Sequence, residues 1–380
     1  MKILFLISSL ALGGAERQLV EVAKGLRQRG HSVAVAVSYS GYPLEVGLTQ
    51  AGVELFDLGK RGRWDIPGYV TRLLGLVREY RPDVLHSYLT VPNLAAALFS
   101  WAYRQTAVVW GVRAADMRME HYDWLARLTE RSTSWVAGRA DGIIVNSHAG
   151  LAHHLRLGFP ESRMRVIHNG IDTDRFHPDA AGGADLRARW GVLRDELLIG
   201  LVGRLDPMKG HAVFFEAAAD IAASNPHVRF VCAGSGLPQL AARLRAQVNE
   251  LGLQNRVVWQ EAVADPVPIY GALDGFCSAS ISEGFSNVIA EAMSCGVPCA
   301  VTDVGDSSCI VAGLGFIAQP ADVMSLRQAL AGLLDAVASG RIDRQALRNR
   351  IVDEFSLAKL VSRTELALGE IVIAKTAPRI

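Results

Sequence analysis

The strongest constraint in this chain is an alternation. A short apolar run, Ile3-Leu4-Phe5-Leu6-Ile7, meets a glycine turn, Gly13-Gly14-Ala15, and then a helix-spaced stretch that ends at Arg29. In that stretch Leu19, Val20, Val22, Ala23 and Leu26 share one face, with Glu16, Arg17, Lys24 and Arg27 outside it. A second apolar run, Ser32 to Val37, follows at once. The series continues with a helix over Tyr69 to Tyr80, a strand Asp83 to His86, a helix over Asn93 to Tyr103, and strands Ala107 to Gly111 and Gly142 to Asn146. Strands that alternate with helices imply a parallel sheet covered on both faces. The scheme then starts again, with strands Leu197 to Gly203, Val228 to Ala233, Val257 to Gln260, Gly275 to Ala279 and Pro298 to Thr302. Helices over His211 to Ser224, Gln239 to Leu251 and Asn287 to Cys295 alternate with them. Between the two series, Asp172 to Asp185 mixes Asp, Pro and Gly with little apolar periodicity and reads as a linker. The expected fold class is α/β, two doubly wound Rossmann-like halves facing a central cleft that holds the site.

Composition narrows the partners. The 380 residues carry 39 Lys plus Arg against 38 Asp plus Glu, a net charge of +1, so no global field draws nucleic acid or anionic lipid. Cys232, Cys277, Cys295, Cys299 and Cys309 form no CxxC pair and are odd in number, which speaks against a disulfide framework or zinc site and for a reducing cytoplasm. The opening apolar run has features of a secretory signal, with Lys2 as its charged region. The turn, helix and second strand that follow without a break assign it to the sheet instead. No run reaches the ~18 apolar residues of a membrane span.

Three loops carry chemistry. Gly13-Gly14-Ala15-Glu16 closes the first strand and opens a helix, where glycines let a phosphate approach backbone N–H groups, but taken alone it reads first as a tight βα turn with no ligand. It departs from the dinucleotide fingerprint, whose third glycine is here Arg17. Gly203-Arg204-Leu205-Asp206-Pro207-Met208-Lys209-Gly210 sets one Arg and one Lys between a strand and a helix, suited to a diphosphate leaving group. In Glu283 to Pro298, one glutamate follows a strand, Asn287 is the expected N-cap, and Glu291 lies inside an otherwise apolar helix. An acid there is costly without a partner.

Together with His168-Asn169-Gly170-Ile171-Asp172 and Ala233-Gly234-Ser235-Gly236, these segments resemble glycosyltransferase family 4 in the right order over nearly the whole chain. The resemblance implies the GT-B architecture, with an acceptor-binding domain over 1–175, a helix over 357–375 crossing back to it, and a nucleotide-sugar-binding domain over 190–355. It implies a retaining, metal-independent hexosyltransferase without cofactor that uses a nucleoside-diphosphate sugar, UDP-sugar favoured over GDP-sugar. The favoured acceptor is a hydroxyl of a lipid-linked saccharide in bacterial cell-surface polysaccharide synthesis, and the place of work the cytoplasm or the inner face of the membrane. By carry-over, Arg204 and Lys209 grip the diphosphate, Glu283 the transferred sugar and Glu291 the ribose. Gly14, Gly203, Gly284, Phe285, Ser286, Asn287 and Val288 complete the donor contacts. Two departures stand out: Arg113 occupies the place of a histidine to which a catalytic role is often given, and Gly305-Asp306-Ser307-Ser308 replaces the family's Gly-Gly then Glu. Two alternatives stay open, a nucleotide-sugar epimerase of related architecture and a nucleotide-sugar-binding protein without turnover. A product assay with acceptor separates all three.

Other features weigh less. Asp172-Thr173-Asp174 matches a metal-binding DxD signature but sits in the linker and shares Asp172 with the Asn-Gly-Ile-Asp motif. His148, His153 and His154 read as surface or capping residues, and His86 as a partly buried, satisfied histidine. Trp64, Trp101, Trp110, Trp124 and Trp135 interleave, from Trp101 on, with Arg104, Arg113, Arg118, Arg127, Arg131 and Arg139. That pattern suits a membrane headgroup boundary and is the basis for an expected peripheral membrane contact.

Overall fold

The computed structural model describes residues 1–62, 64–113 and 133–377. The chain forms two compact units, one running to Gly170 and resuming at Leu357, the other Ile171–Ser356.

The first unit is built on a parallel sheet of seven strands: β1 (Lys2–Ile7), β2 (Ser32–Val37), β3 (Glu54–Asp57), β4 (Val84–Tyr88), β5 (Ala107–Val112), β6 (Gly142–Val145) and β7 (Met164–Val166). Their spatial order is β3-β2-β1-β4-β5-β6-β7. The period of two sorts β1 cleanly: Ile3, Phe5 and Ile7 enter one core, Leu4 and Leu6 the other, all fully buried. Burial on both faces is why the run contains no polar residue, each side chain contributing about 1.5–3 kcal/mol. The first face is covered by the helix Gly14–Gln28 and by the chain's last helix, Leu357–Thr376, which sends Leu360, Val361, Ala367, Leu368 and Ile371 into the same core. Glycines make the seat for that last helix. A Cβ at Gly25 would stand 2.4 Å from Val361 Cγ2, and one at Gly142 2.3 Å from Ile371 Cδ1. Ion pairs tie its edges, Glu365 to Arg29 at 2.6 Å and Lys375 to Asp141 at 2.9 Å, and His31 Nε2 hydrogen-bonds Glu365 at 2.6 Å.

The second unit repeats the plan with six parallel strands: β8 (Leu197–Val202), β9 (Val228–Ala233), β10 (Val257–Gln260), β11 (Gly275–Ser278), β12 (Cys299–Thr302) and β13 (Phe316–Ala318). They lie in the order β10-β9-β8-β11-β12-β13. In both sheets the order reverses beside the first strand, between β1 and β4 and between β8 and β11. Loops leaving the carboxyl ends of such a strand pair diverge and open a crevice.

Several elements differ from the sequence expectation for identifiable reasons. The stretch read as a linker contains the helix Ala180–Arg189, capped by Asp179, whose carboxylate accepts from the Gly182 amide at 3.0 Å. This helix shows little apolar periodicity because it packs through glycine: a Cβ on Gly183 would lie 2.2 Å from the Gly271 carbonyl carbon. The fourth helix of the first unit starts earlier than read, Thr90–Leu98, because Pro92 falls in its first turn, where no intrahelical N–H is needed. A 3-10 turn, Ser100–Ala102, follows it. Edge strands β3, β7 and β13 have three or four residues each, too short for alternation to reveal. No helix among the described residues is long and apolar enough to cross a membrane.

Candidate active site

Four loops of the second unit are knitted together at the carboxyl ends of β8, β9, β11 and β12. After β8 the chain turns through Gly203 into a 3-10 turn, Pro207–Lys209, whose start is capped by Asp206 accepting from the Met208 amide at 2.9 Å. Gly210 then enters the helix His211–Ser224 at φ +66°, and a Cβ there would lie 1.8 Å from the Ala279 carbonyl oxygen. The Ile281 amide donates to the Met208 carbonyl at 2.8 Å. On the other side the Leu205 amide donates to the Ser235 carbonyl at 3.0 Å, and a Cβ on Gly234 would stand 1.8 Å from the Gly203 carbonyl oxygen. The loop after β12 closes the set. Gly305, at φ +60°, lies against the Glu283 and Gly284 carbonyls, and the Asp306 amide donates to the Gly284 carbonyl at 2.9 Å. The departure from the family's Gly-Gly then Glu thus retains the glycine where this close approach needs one.

This scaffold brings two of the sequence-selected residues into direct contact. Lys209 Nζ lies 2.5 Å from Glu283 Oε1, which also accepts from Ser280 Oγ at 2.8 Å. Both side chains are largely buried, 26% and 12% exposed, so the pair is shielded from solvent screening. Arg204 stands apart from that pair: its guanidinium bonds Asp206 at 2.8 Å and is 73% exposed, an accessible cation at the loop's rim. Glu291 projects from the helix Asn287–Ser294, and its Oε2 accepts from the hydroxyl of Tyr270 at 2.7 Å. That contact supplies the partner an acid in an apolar helix requires.

In the intervening turn the helix cap lies one residue before the expected one. Ser286, not Asn287, is the N-cap, with φ −85° and ψ 100°, and Asn287 is the first helical residue. The Ser286 hydroxyl is buried and makes no hydrogen bond among the described residues. Phe285 sends its ring into the core against Phe355, 5.3 Å between centroids, which leaves its backbone rather than its side chain at the loop. Gly284, with its carbonyl engaged by Asp306, and half-buried Val288 flank it.

In the first unit, Gly14 opens the helix Gly14–Gln28 behind the N-cap Gly13, and the Glu16 carboxylate folds back to within 2.0 Å of where a Gly13 Cβ would lie. Arg113 follows β5. Its guanidinium donates to Tyr88 Oη at 2.8 Å and Asn169 Oδ1 at 3.1 Å, and lies over the Tyr88 ring at 4.8 Å. Among the described residues no carboxylate neutralises it. His86 is wholly buried and has no hydrogen-bond partner among the described residues, contrary to the satisfied, partly buried reading. It packs between Phe5 and Tyr88, and burial, then the Arg113 charge, hold its imidazole well below the usual histidine range. Burial likewise lowers His211 to about 4.

The remaining sequence candidates are accounted for locally. Asp172 accepts from the amides of Asp174 and Arg175 at 3.2 and 3.0 Å, a backbone-capping use of the DxD carboxylate. Ser147 caps the helix His148–Arg156, and His154 bonds the Gly150 carbonyl within it. Trp64, Trp101 and Trp135 are 77%, 66% and 88% exposed, whereas Trp110 is a core residue. Trp124, Arg118, Arg127 and Arg131 lie outside the described residues. Tyr270 and Ser280 were not found from sequence: one sits in an apolar segment and the other is an ordinary serine after a strand, and neither has a motif around it.

Two parallel-sheet Rossmann-like units with a cation and two glutamates at a sheet switch point define a GT-B glycosyltransferase architecture. The family model "Glycosyltransferase Family 4" matches residues 12–175 and "Glycosyl transferases group 1" residues 196–336, together well over half of the chain. The chain belongs to the family 4 type of glycosyltransferases. It is 34% identical over 177 residues to the D-inositol 3-phosphate glycosyltransferase of Mycolicibacterium smegmatis, 45% of this chain and 39% of that protein. It is 30% identical over 221 residues to the UDP-Gal:alpha-D-GlcNAc-diphosphoundecaprenol alpha-1,3-galactosyltransferase of Escherichia coli, 56% of each. The chain thus spans from two fifths to just over half the length of these curated relatives. Among solved structures, HepE of Anabaena in complex with UDP and glucose matches with a TM-score of 0.81 at 25% identity, covering 97% of this chain and 100% of that one. A glycosyltransferase from Rickettsia africae matches with a TM-score of 0.84 at 18% identity over 98% of each.

Proposed function

We propose that this chain transfers a hexose, with retention of anomeric configuration, from a nucleoside-diphosphate sugar to the hydroxyl of a lipid-linked saccharide. The observation that carries the reading is the Lys209–Glu283 contact at the β8/β11 switch point, which holds together a cation suited to a diphosphate and a carboxylate suited to sugar hydroxyls. Arg204 and Lys209 grip the diphosphate with the amides of the Gly203–Gly210 and Gly284–Asn287 turns, Glu283 holds the sugar and Glu291 the ribose. Gly14, the first residue of the helix Gly14–Gln28, offers amide N–H groups of the kind that suit a phosphate. A UDP-sugar is the favoured donor, which the UDP and glucose bound to HepE support. The Escherichia coli relative, named for a diphosphoundecaprenol-linked substrate, supports the acceptor class.

In this mechanism the acceptor oxygen bonds the anomeric carbon on the face the diphosphate leaves. The C–O electron pair passes to the diphosphate, and a diphosphate oxygen takes the acceptor's proton. Fixed cations and amides stabilise the charge that develops, without metal or cofactor. Arg113, whose partners among the described residues are the neutral Tyr88 and Asn169, offers its charge on the acceptor-binding unit. Exposed Trp64, Trp101 and Trp135 provide rings for a headgroup boundary at the inner face of the membrane.

Thermal stabilisation across a panel of nucleotide sugars, followed by transfer to lipid-linked saccharides in EDTA, tests the reading. The expected outcome is stabilisation by a UDP-sugar and an EDTA-insensitive product with retained configuration. Free sugar and nucleoside diphosphate without a glycosidic product would overturn it in favour of the epimerase.

A further inference from the structure

Glu291 stands where a flexible carboxylate meets a rigid helix. The side chains around it on that helix, Ile289, Ala290, Ala292 and Met293, are fully buried, so its backbone is fixed. Its carboxyl torsion is intrinsically broad, however, and the backbone alone does not aim the oxygens. Tyr270 supplies what the backbone does not. Its hydroxyl lies 2.7 Å from Glu291 Oε2, the length of a charge-assisted O–H···O bond.

Tyr270 itself has little freedom. It is wholly buried on the helix Val267–Ala272, edge-on to Phe176 at 6.2 Å and to Phe276 at 6.1 Å between ring centroids. The next residue, Gly271, is clamped: a Cβ there would lie 2.2 Å from the Asp179 carbonyl oxygen. The helix Ala180–Arg189 therefore fixes the backbone that carries the phenol. Burial and the neighbouring Glu291 charge raise the phenol well above its usual range, so it stays a donor.

We propose that Tyr270 is a positioning residue that orients Glu291 toward a ribose diol and thereby makes the site select ribonucleotides over 2′-deoxyribonucleotides. The inference rests on the assignment of Glu291 to the ribose. A carboxylate has about four acceptor positions. One is fixed by the phenol, which sets the plane of the others and lets a sugar hydroxyl find a preformed acceptor. Without the phenol the carboxylate loses that fixed point, more of its ordering falls to the ligand, and the hydroxyl gains less from binding.

The test is calorimetric binding of UDP, GDP and ADP, each beside its 2′-deoxy counterpart, to the full chain. The wild type should prefer the ribose form of the diphosphate it binds best by roughly tenfold or more, the scale of one hydrogen bond to a charged group. Tyr270→Phe keeps the ring that fills the core. It should bind the deoxy form as the wild type does while its preference falls to about threefold or less, and should lose nothing further in a Glu291→Gln background. An unchanged preference in Tyr270→Phe overturns the proposal and leaves the Glu291 assignment standing. Equal weakening of both forms indicates a merely structural role and also overturns it. A wild type that binds none of the three, or binds ribose and deoxyribose alike, overturns the assignment and the proposal together. A reading on the wild type needs no variant: the buried Tyr270 hydroxyl proton should shift in NMR spectra more on adding UDP than on adding 2′-deoxy-UDP, and equal shifts refute the proposal.

Discussion

Alanine at Gly210 and alanine at Gly191 form a matched pair that isolates the role of close loop approach. Both glycines lie in the second unit with the same left-handed backbone, φ +66° and +65°. A Cβ on Gly191 meets nothing within 4 Å, whereas one on Gly210 would lie 1.8 Å from the Ala279 carbonyl oxygen. The backbone term is common to both: about 1–2 kcal/mol for a left-handed alanine, reduced by about 0.4–1 kcal/mol because alanine restricts the unfolded chain. Gly191→Ala should therefore cost about 1 kcal/mol or less, a fall of about 2–4 °C in Tm for a unit of this size. Gly210→Ala adds an overlap of roughly 1.5 Å against a normal C···O approach of about 3.3 Å. The atom met is backbone, so no rotamer change relieves it, and overpacking of this kind costs about 1–3 kcal/mol more. The relief available is to move the Lys209 loop away from Ala279 and so from Glu283. A displacement of about 1 Å at reacting groups lowers rate by about a hundredfold. Urea denaturation and transfer kinetics on both variants check this. If Gly210→Ala matched Gly191→Ala in stability and in kcat/KM, the reasoning from loop packing to the site would be refuted.

Lys209→Ala should lose about 2–4 kcal/mol of transition-state stabilisation in kcat/KM, and Glu283→Gln and Glu291→Gln most of their transfer with Tm preserved; wild-type rates in any of them would remove that residue from the site. His86 is held neutral in the fold, whereas the unfolded chain protonates it below about pH 6.5. Its contribution is therefore whole above that pH and is lost as pH falls, at about 1.4 kcal/mol per pH unit, until the folded imidazole itself titrates. His86→Phe should flatten stability against pH between about 6.5 and 5, and a slope parallel to wild type refutes the assignment. Co-sedimentation with anionic vesicles at physiological salt should fall when Trp64, Trp101 and Trp135 are replaced together by serine; absence of wild-type binding with efficient transfer to a soluble acceptor would exclude membrane docking.

The alternation of apolar runs made the two sheets legible because strands buried on both faces are mostly apolar, as in Ile3–Ile7 of β1 and in β8. What stayed hidden was settled by shape rather than by chemistry. The helix Ala180–Arg189 packs through Gly183 against Gly271, a contact that leaves no apolar stripe to read. The cap at Ser286 preceded the expected Asn287 by one residue, since either side chain suits the position. Lys209 and Glu283 were each conspicuous, but their contact depends on how β8 and β11 neighbour one another, which no local pattern encodes. Tyr270 was invisible for a related reason: its hydroxyl matters only because a distant glutamate lies 2.7 Å away.

The last helix of the first unit has a bearing on how the chain is made. Its residues Leu360, Val361, Ala367, Leu368 and Ile371 complete a core whose other buried members, from Ile3 to Ile167, leave the ribosome far earlier. All of Ile171–Ser356 is translated in between, roughly 10–40 s at ordinary elongation rates. During that interval the surface around Gly25 and Gly142 lacks the helix that packs on it, while the second unit, continuous in sequence, can fold as it emerges. A nascent chain arrested before Leu357 should therefore present a protease-sensitive first half beside a resistant second, inverting the usual order in which the amino-terminal part matures first.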